Sequence, residues 1–528
     1  MREFDFVIVG SGFGGSVAAM RLTQKGYRVA VIEKGKRYRP EDFAKTNWDI
    51  KKFLWAPLIK CFGIQQITLL KGVMLLHGAG VGGGSLVYAN TLMQPEERVF
   101  KSEMWPKGID WSRELAAHFA EARRMLGVSQ NKIVSENEKI MQDLAQEMGV
   151  PETYHLTDVG VYFSDDTGAR DPYFNGEGPL RKPCTGCGAC MVGCRDGGKN
   201  TLDKNYLYFA EKWGAQVFPE LKVSTITPVG DSEYIVRAKD INSIWYPQYE
   251  EFRAKNVILA AGVLGTVDLL FRNREIYGTL PRVSQQLGRS VKTNGESLCG
   301  VTSTETDRDL SKGIAIGSAI HPDANTKIEP CRYNSGSSVM RFLAVPMTDN
   351  GSKLTRPFKF VFNLIKNFGE VVRLFTVKDW AKQSVILLVM QTINFQMQLK
   401  LGRSFLSLWR KGLVGQEQDG TWPSYLEVAQ QATRHVARKI NGVAQNAASE
   451  VLLGIPATAH ILGGCTMGDR SEEAVVDSRH EVFGHPGLYV CDGSVIPANL
   501  GVNPSLTITA LAERFAAAFP RRDRGADV

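Results

Sequence analysis

The sequence predicts an α/β fold, and three observations support that prediction. An apolar run from Phe6 to Val9, close to the start of the chain, predicts a buried strand. A glycine turn and a helical segment follow it, and the run from Arg28 to Ile32 predicts the next strand. The third observation is composition, because 43% hydrophobic residues and 52 glycines among 528 residues suit a large α/β protein with many tight turns. At this length we expect two closely joined domains.

The first turn has the spacing G-x-G-x-x-G, with Gly10, Gly12 and Gly15 in the fixed positions. Such glycines allow a tight turn, the approach of a pyrophosphate to backbone N–H groups, and close helix–strand packing. Glu33 ends the second strand, where a carboxylate accepts from ribose hydroxyls and disfavours NADP. The complete order predicts a dinucleotide site rather than a chance glycine turn. The predicted contacts are Gly10, Gly12, Phe13, Gly14, Gly15, Glu33 and Lys34.

Net charge and hydropathy limit the classes of partner that the sequence predicts. The net charge of +8 is spread along the chain without a basic block, which disfavours nucleic acid but is compatible with an anionic membrane surface. The longest apolar run considered, Val385 to Met390, is far shorter than the roughly 20 residues that span a bilayer. The first predicted strand begins almost at residue 1, so we expect no signal peptide. Cytoplasmic residence is the default expectation, with the nine cysteines mostly reduced.

Three more blocks carry glycine-rich or strand-like patterns. Residues 78–90 contain five glycines within seven positions, which excludes a stable helix and leaves a backbone-binding loop or a plain surface loop. Residues 256–265 predict a buried strand that enters another glycine turn. Residues 460–514 combine His460 and two glycines with the segments Leu488–Pro497 and Gly501–Arg514.

In this order and at these separations, the four blocks resemble the glucose–methanol–choline (GMC) family of flavin oxidoreductases, in its bacterial cholesterol oxidase-like branch. The motifs typical of that branch are Gly80–Leu86, Lys199–Leu207, Gly501–Pro504 and Thr507–Arg514. The resemblance covers nearly the whole chain, most closely at its two ends.

The resemblance implies a Rossmann-like FAD-binding domain assembled from discontinuous segments, here 1–100, 196–295 and 451–528. Segments 101–195 and 296–450 would form a substrate domain on a largely antiparallel sheet. The last helix, from Pro504 to about Phe519, would point its N-terminus at the flavin ring. The further residues implied to bind FAD are Gly80, Gly83, Gly84, Ser85, Asn90, Gly262, Asp492, Gly493, Asn503 and Pro504.

Two residues match the active-site pair of the family, His460 and Asn503. The histidine would accept the proton of an alcohol hydroxyl and the asparagine would fix its oxygen, while flavin takes the hydride. An isolated histidine is more often a satisfied core residue, but the motif favours function. The resemblance implies oxidation of a secondary alcohol on a bulky apolar substrate, foremost the 3β-hydroxyl of a sterol. The alternatives are another lipophilic alcohol, or a flavin electron-transfer or binding protein without turnover; NAD in place of FAD is disfavoured.

The sequence departs from the branch at two places. Related cholesterol oxidases carry a glutamate that moves the ring double bond after oxidation, yet the matching stretch Ser337–Met347 contains no acid. Glu329 and Glu370 lie outside it and would need a different chain path, so we predict poor isomerisation or none. Tyr88 stands where the branch usually has asparagine near the flavin, with Asn90 as the alternative two residues on.

Four cysteines at C-x2-C-x2-C-x3-C spacing, Cys184, Cys187, Cys190 and Cys194, form a loop at 184–194. Ferredoxins use this spacing for a [4Fe–4S] cluster, and four thiolates also bind zinc. Arg195 replaces the usual proline, and a loop without metal is the third alternative. If a cluster were present, electrons would leave the flavin through it toward a protein or quinone acceptor, making the protein a dehydrogenase.

Two apolar stretches bear on the substrate. Residues 53–64 fall where the family places a lid over the substrate cavity. Further on, apolar residues recur at helical spacing with basic residues between them, which predicts either a core-facing helix or a helix that contacts a membrane surface. The apolar residues are Phe358, Phe362, Ile365, Phe368, Val372 and Phe375, and the basic ones are Lys359, Lys366 and Arg373.

Overall fold

The computed structural model of the chain describes residues 1–522 except 231, 244–245, 352–354, 367, 394, 404–410 and 420–424. Its helices, numbered in chain order, are α1 (Phe13–Gln24), α2 (Ile50–Phe53), α3 (Glu97–Phe100), α4 (Trp111–Met125), α5 (Glu136–Glu147), α6 (Tyr206–Lys212), α7 (Gly262–Glu275), α8 (Thr355–Lys366), α9 (Phe368–Thr376), α10 (Trp380–Gln383), α11 (Glu427–Lys439), α12 (Ala448–Leu453) and α13 (Ser505–Ala517). Among the described residues, no helix is both long and apolar enough to cross a bilayer.

The strands are numbered in the same way. They are β1 (Arg2–Val9), β2 (Val29–Ile32), β3 (Trp55–Ala56), β4 (Cys61–Phe62), β5 (Gln65–Leu70), β6 (Val73–Gly78), β7 (Ser129–Gln130), β8 (His155–Leu156), β9 (Asp158–Val159), β10 (Gln216–Phe218), β11 (Leu221–Val229), β12 (Glu233–Asp240), β13 (Tyr249–Leu259), β14 (Ser297–Ser303), β15 (Ser318–Asp323), β16 (Thr326–Cys331), β17 (Ala344–Pro346), β18 (Ser384–Gln391), β19 (Gln396–Arg403), β20 (Lys411–Asp419), β21 (Gly442–Ala447), β22 (Ala457–Thr458) and β23 (Leu488–Val490).

One sheet has the strand order β10-β2-β1-β13-β12-β11, and β23 adds to the end of β13. The strands β10, β2, β1, β13 and β23 pair in parallel, while β12 pairs antiparallel with β13 and β11. The apolar runs predicted at the start of the chain and at 256–259 are thus neighbours, with Val7 opposite Val257. The carboxyl ends of β1, β13 and β23 meet at one edge, which is where ligands bind to sheets of this kind.

The second sheet has the order β17-β21-β14-β18-β16-β15-β8, and every pair in it is antiparallel. Its β18 contains the apolar run predicted as a buried strand. Alternate residues of β18 face opposite ways: Val385, Leu387 and Val389 pack with α5 and α11. Leu388 and Met390 belong to another cluster, with Cys331 and Ile316, on the face that α5 and α11 do not cover. The predicted mixed α/β fold with an antiparallel second sheet is confirmed.

Smaller sheets connect the two large ones. The strand β22 pairs in parallel with β6, which pairs antiparallel with β5. The hairpin β3–β4 lies within the segment predicted as a lid. The strands β19 and β20 form a long two-stranded ribbon, and β7 pairs with β9.

Candidate active site

The glycine turn after β1 packs tightly on two sides and leaves a third side open. A Cβ built on Gly10, whose φ is +101°, would lie 2.3 Å from the carbonyl oxygen of Ala260, and one on Gly14 would lie 1.8 Å from that of Cys491. A Cβ on Gly12 would meet no described atom within 4 Å. The chain therefore needs glycine at positions 10 and 14 to close the fold, whereas Gly12 borders open space beside the N-terminus of α1.

Glu33 is buried at the end of β2 and braces this turn. Its carboxylate accepts hydrogen bonds from Ser11 N (3.1 Å), Ser11 Oγ (2.8 Å) and Gly35 N (2.9 Å). Lys34, also predicted to contact the cofactor, donates to Gln66 Oε1 at 2.7 Å. The acid is thus held at the position predicted for a ribose-binding carboxylate.

The second glycine loop lies directly against the first. A Cβ on Gly83 would come within 2.6 Å of Gly12 Cα, while one on Gly84 would meet only Phe13, at 3.9 Å. Gly80 has a φ of +136°, which favours glycine. Ser85 is buried; its hydroxyl donates to Gly82 O (2.7 Å) and accepts from Leu202 N (3.1 Å). The two loops therefore form one cradle with the open faces of Gly12 and Gly84.

Asn90, at the end of the second loop, is fully buried with a left-handed φ of +74°. Its amide lies beside the Cys190 thiol, and neither amide atom has a nitrogen or oxygen hydrogen-bond partner among the described residues. The hydroxyl of Tyr88 instead donates to Asn200 O at 2.9 Å. Of the two, Asn90 therefore has the side chain with unused hydrogen-bonding capacity, as a residue that contacts a cofactor requires.

The remaining predicted cofactor residues lie at the same edge of the first sheet. Gly262 begins α7 with a φ of +73° and an open Cβ position. Asp492 is buried and accepts hydrogen bonds from Thr266 Oγ1 (2.6 Å) and from Ser494 N and Oγ (2.9 and 2.5 Å). Burial raises its pKa above the ordinary carboxyl value despite these bonds. The adjacent Gly493 accepts from Gly463 N at 3.1 Å.

His460 and Asn503 meet although 43 residues separate them in the chain. The distance from Asn503 Nδ2 to His460 Nε2 is 3.3 Å. Asn503 Oδ1 has no partner among the described residues. The His460 side chain keeps 12% of its surface exposed, so its ring borders open space. Asn503 precedes Pro504, which caps α13. Another buried polar atom without a described partner, Thr507 Oγ1, lies in the first turn of that helix.

Three separated segments hold this pair in place. His460 follows β22, which pairs with β6 directly before the second glycine loop. Lys292 and Leu462 exchange two backbone hydrogen bonds, of 2.8 and 2.9 Å, and Asn294 Nδ2 donates to Val502 O at 2.9 Å. The segment before β14 therefore fixes both the histidine loop and the asparagine loop.

The same segment supplies Glu296, a residue that sequence reasoning missed. Its carboxylate is 1% exposed, forms a short hydrogen bond with His460 Nδ1, and accepts from Ala459 N at 3.1 Å. A carboxylate there requires Nδ1 to carry hydrogen, which leaves Nε2 of the neutral ring free to accept a proton. No spacing in the sequence connects Glu296 to His460, since the contact depends on how two distant loops pair.

Burial would lower the pKa of His460, but Glu296, through its charge and its hydrogen bond, outweighs burial and raises it. Glu329 raises this pKa further and Lys327 opposes it. Because the folded pKa lies above the unfolded one, the pair stabilises the fold at pH values below the unfolded pKa. That contribution is lost as the pH rises through the folded pKa.

We expect Glu296→Gln to move the acid limb of the kcat/KM profile to lower pH, because the pKa of His460 falls without the carboxylate. At high pH the rate should fall by about 10–100-fold, since the protonated ring is no longer stabilised. Stopped-flow measurement across pH, following the flavin that the family resemblance implies, measures both effects. Glu329→Gln is the matched control: it also removes a charge near His460 but no hydrogen bond to it, so its shift should be smaller. An unmoved profile in Glu296→Gln would contradict this role.

The cysteine loop does not form the predicted metal centre in this structure. Among the described residues, no three His, Cys, Asp or Glu side chains are grouped so as to hold a metal ion. Cys190 is buried, whereas Cys184, Cys187 and Cys194 are half-buried. In the metal-free loop, burial raises the pKa of Cys184 and Cys190. The spacing alone matched a cluster, but the loop folds without bringing its sulfur atoms into a common ligand set.

Comparison with known proteins agrees with this architecture. The GMC oxidoreductase family model matches residues 407–512, and the model of the NAD(P)-binding Rossmann-like domain matches residues 8–38. A cholesterol oxidase of Mycobacterium tuberculosis is 45% identical over 534 residues, covering 98% of this chain and 92% of that protein. A cholesterol oxidase of Acinetobacter baumannii is 43% identical over 530 residues, covering 98% and 95%.

The chain belongs to the GMC oxidoreductase family. Its place is in the cholesterol oxidase-like branch, and it is an FAD-dependent alcohol oxidoreductase. The crystal structure of pyridoxine 4-oxidase from Mesorbium loti superposes with a TM-score of 0.61 at 15% identity, over 98% of this chain and 99% of that one. At that identity the superposition supports the fold alone.

The GMC cofactor fits the cradle described above. FAD needs a backbone cradle without side chains for its pyrophosphate and polar groups for its ribose and ring. Gly12, Gly84 and Gly262 leave their side-chain positions open. Asn90, Asn503 and Thr507 bring buried polar atoms that have no described partner. Glu33 and Asp492 are fixed acids at the edge of the sheet. The contacts of Gly12, Glu33, Gly84, Asn90, Gly262, Asp492 and Asn503 with FAD stay predictions, and Thr507 is a residue that the sequence analysis did not include among them.

Proposed function

We propose that the protein oxidises the 3β-hydroxyl of a sterol such as cholesterol. The observation that carries the proposal is the His460–Asn503 pair, with Nε2 and the amide 3.3 Å apart, in a chain 43–45% identical to proteins named cholesterol oxidase. Leu388 and Met390 make the face of the second sheet that α5 and α11 do not cover apolar, and a sterol site needs apolar walls of this kind.

The residues of this chain handle the alcohol and its proton. When bound, FAD supplies a hydride acceptor. His460 Nε2 accepts the hydroxyl proton, while the hydrogen on Nδ1 stays with the bond to Glu296 and the new positive charge is stabilised by that carboxylate. The Asn503 amide positions the alcohol oxygen beside Nε2. Because Glu296 is buried, its charge acts with little screening by water.

The test is anaerobic flavin reduction. Protein loaded with FAD is mixed with cholesterol in detergent, with the 3α epimer as matched control, and the flavin band is followed. Bleaching by the 3β alcohol alone supports the proposal. If neither epimer bleaches the flavin but a long-chain alcohol or terpenoid alcohol does, the substrate class is wrong and the alcohol oxidoreductase remains. Reduction by no alcohol would favour the electron-transfer alternative.

The electron acceptor that we propose is oxygen, because the two similar proteins are named as oxidases. Transfer through an iron–sulfur cluster to a protein or quinone was the alternative derived from the four cysteines. It lacks support, because these thiols form no ligand set among the described residues. Hydrogen peroxide formed in proportion to ketone would support oxygen as the acceptor, and iron with acid-labile sulfide in anaerobically purified protein would restore the alternative.

We also expect the released product to be mainly the unconjugated ketone. Residues 337–347 contain no acid, and Glu370 lies exposed on α9. Glu329 is nearer to the site than its sequence position suggested, because β16 places it where its charge raises the pKa of His460. However, its carboxylate is fully buried and paired with Lys327 Nζ at 2.9 Å. The ultraviolet band of a conjugated enone reports isomerisation. Its immediate appearance in step with flavin reduction would overturn the expectation.

A sterol substrate affects where in the cell the protein is expected to work. Sterols reside in bilayers because of their apolar area, so we propose that the protein works as a peripheral protein at a membrane surface rather than free in the cytoplasm. Fractionation of cells into membrane and soluble protein, at low and high salt, tests this location directly.

A further inference from the structure

The two helices α8 and α9 expose an unusually apolar face. The exposed fractions of Phe358, Phe362, Ile365 and Phe368 are 77%, 65%, 73% and 67%. Val361, Val372 and Phe375 are also exposed. An amphipathic helix with either a core-facing or a membrane-facing stripe was predicted, and the described residues of this stretch are helical as α8 and α9, on either side of residue 367. The core-facing alternative is wrong for these residues.

The opposite sides of the same helices attach them to the protein. Arg356 and Phe360 of α8 are buried, as is Leu374 of α9. Arg356 Nη1 lies 3.4 Å from Glu450 O of α12, which anchors α8 to the body of the enzyme. Each helix therefore has one side packed on protein and one apolar side turned outward.

The charges beside the apolar face are mainly positive. Lys359 and Lys366 directly follow Phe358 and Ile365 in sequence, so they flank the stripe, and Arg373 holds a similar position on α9. Among the described exposed residues of both helices, Glu370 is the acidic one. An apolar stripe flanked by Lys and Arg is the arrangement of helices that lie in the interface of an anionic bilayer.

This face continues to the segment predicted as the lid. Arg341 donates to Phe375 O at the end of α9 (3.3 Å), and its neighbour Phe342, 58% exposed, packs edge-on against Trp48 with ring centroids 6.1 Å apart. Trp48 leads into α2 and the β3–β4 hairpin, whose tip exposes Leu58 and Ile59. On the other side, Leu452 and Leu453 of α12 are exposed next to α8.

We propose that α8 and α9 form an in-plane anchor that docks the protein on the surface of an anionic lipid bilayer. No helix among the described residues is both long and apolar enough to cross a bilayer, and the charged side chains of α8 and α9 suit a position along its surface. Docking in this orientation holds the β3–β4 hairpin at the lipid surface, where a sterol leaves the bilayer. The inference rests on the proposed function only for the identity of that cargo.

The test uses sterol-free vesicles, so that binding does not depend on turnover. FAD-loaded protein is sedimented with vesicles of phosphatidylcholine alone or with phosphatidylserine. We expect binding to the anionic vesicles that weakens with salt. The variant Phe358→Glu/Phe362→Glu/Ile365→Glu should lose at least about 100-fold in affinity, because three apolar side chains no longer enter the interface. The variant Lys359→Gln/Lys366→Gln/Arg373→Gln should lose roughly fivefold in affinity per residue, on anionic vesicles alone.

Ile276→Glu, at the exposed end of α7, is the matched control and should bind as the wild type does. All three variants should oxidise detergent-dispersed cholesterol at the wild-type rate. The two variants in α8 and α9 should oxidise vesicle-borne cholesterol more slowly, whereas the control should oxidise it at the wild-type rate. Wild-type protein that ignores anionic vesicles, or a triple Phe/Ile variant that still binds them, would overturn the proposal. A wild-type protein that is a dimer in solution, and that the triple Phe/Ile variant converts to a monomer, would also overturn the proposal, because a second copy of the chain would then cover the apolar face. Failure to oxidise cholesterol in detergent would refute the proposed substrate while leaving the sedimentation result to decide docking.

Discussion

Replacing His460 with alanine is expected to lower the rate of flavin reduction by alcohol by about 10²–10⁴-fold, the usual contribution of a positioned general base. The imidazole is the group whose free nitrogen faces both open space and the Asn503 amide. Its removal also leaves the buried Glu296 carboxylate without the hydrogen-bond donor at Nδ1, which costs about 1–3 kcal/mol of stability. Rapid-mixing spectroscopy of the FAD-loaded variant measures the rate, and its flavin absorbance shows that the cofactor is still bound.

Two further variants separate chemistry from folding. His460→Gln keeps a side chain near Glu296 but offers no proton acceptor, so its rate should remain low even if its stability recovers. His118→Ala, at a half-buried position of α4 that faces Glu513 and Arg514 near the end of α13, is a control histidine that should leave the rate unchanged. A His460→Ala protein that reduces its flavin at the wild-type rate would remove the histidine from the mechanism. If no alcohol reduces even the wild-type flavin, the electron-transfer alternative gains support instead.

The second large effect is expected from adding one methyl group to the glycine turn. A Cβ on Gly14 would lie 1.8 Å from the carbonyl oxygen of Cys491, a backbone atom that cannot move aside without displacing the end of β23. Overpacking a rigid site costs about 1–3 kcal/mol or more. We therefore expect Gly14→Ala to unfold at a lower temperature and to be purified without FAD.

Gly12→Ala provides the matched comparison within the same turn. Its methyl group meets no described atom, and the φ of −72° at Gly12 is accessible to alanine. The apoprotein should therefore unfold at the wild-type temperature, whereas its affinity for FAD should fall because the methyl occupies the cofactor's side of the turn. Thermal unfolding without FAD and titration with FAD measure the two quantities. Equal behaviour of the two variants in both measurements would contradict the geometry.

Local patterns were enough to predict the parts of the site that are encoded locally. The turn around Gly10–Gly15 has its own strand, helix and acid within a short stretch, and the His460 and Asn503 motifs each contain their own glycines. Glu296 was not predictable in this way, because its contact with His460 depends on the pairing of Lys292 with Leu462. No periodicity or spacing records a pairing between residues so far apart.

Helical periodicity could not decide between a core-facing and a membrane-facing helix, and the reason is physical. A stripe such as Phe358, Phe362 and Ile365 has the same spacing whether it faces a core or a bilayer, and only the tertiary structure shows that it is exposed. The cysteine spacing, in contrast, favoured one specific prediction that the structure does not support. It matched a known ligand pattern, but the loop geometry that would bring four sulfur atoms together is not determined by spacing alone.

The contact of Gly14 with Cys491 has a consequence for biosynthesis. The first turn leaves the ribosome early, yet its back wall is made by β23 and the start of α13, which are synthesised hundreds of residues later. Native pairing of this kind has high contact order and is slow to form. Nascent chains should thus remain unable to retain flavin until nearly all of the chain has emerged. Until then, the apolar strands β1 and β13 lack the packing that β23 provides at this edge of the sheet. Chaperone dependence in the cell is the expected result of that order of synthesis.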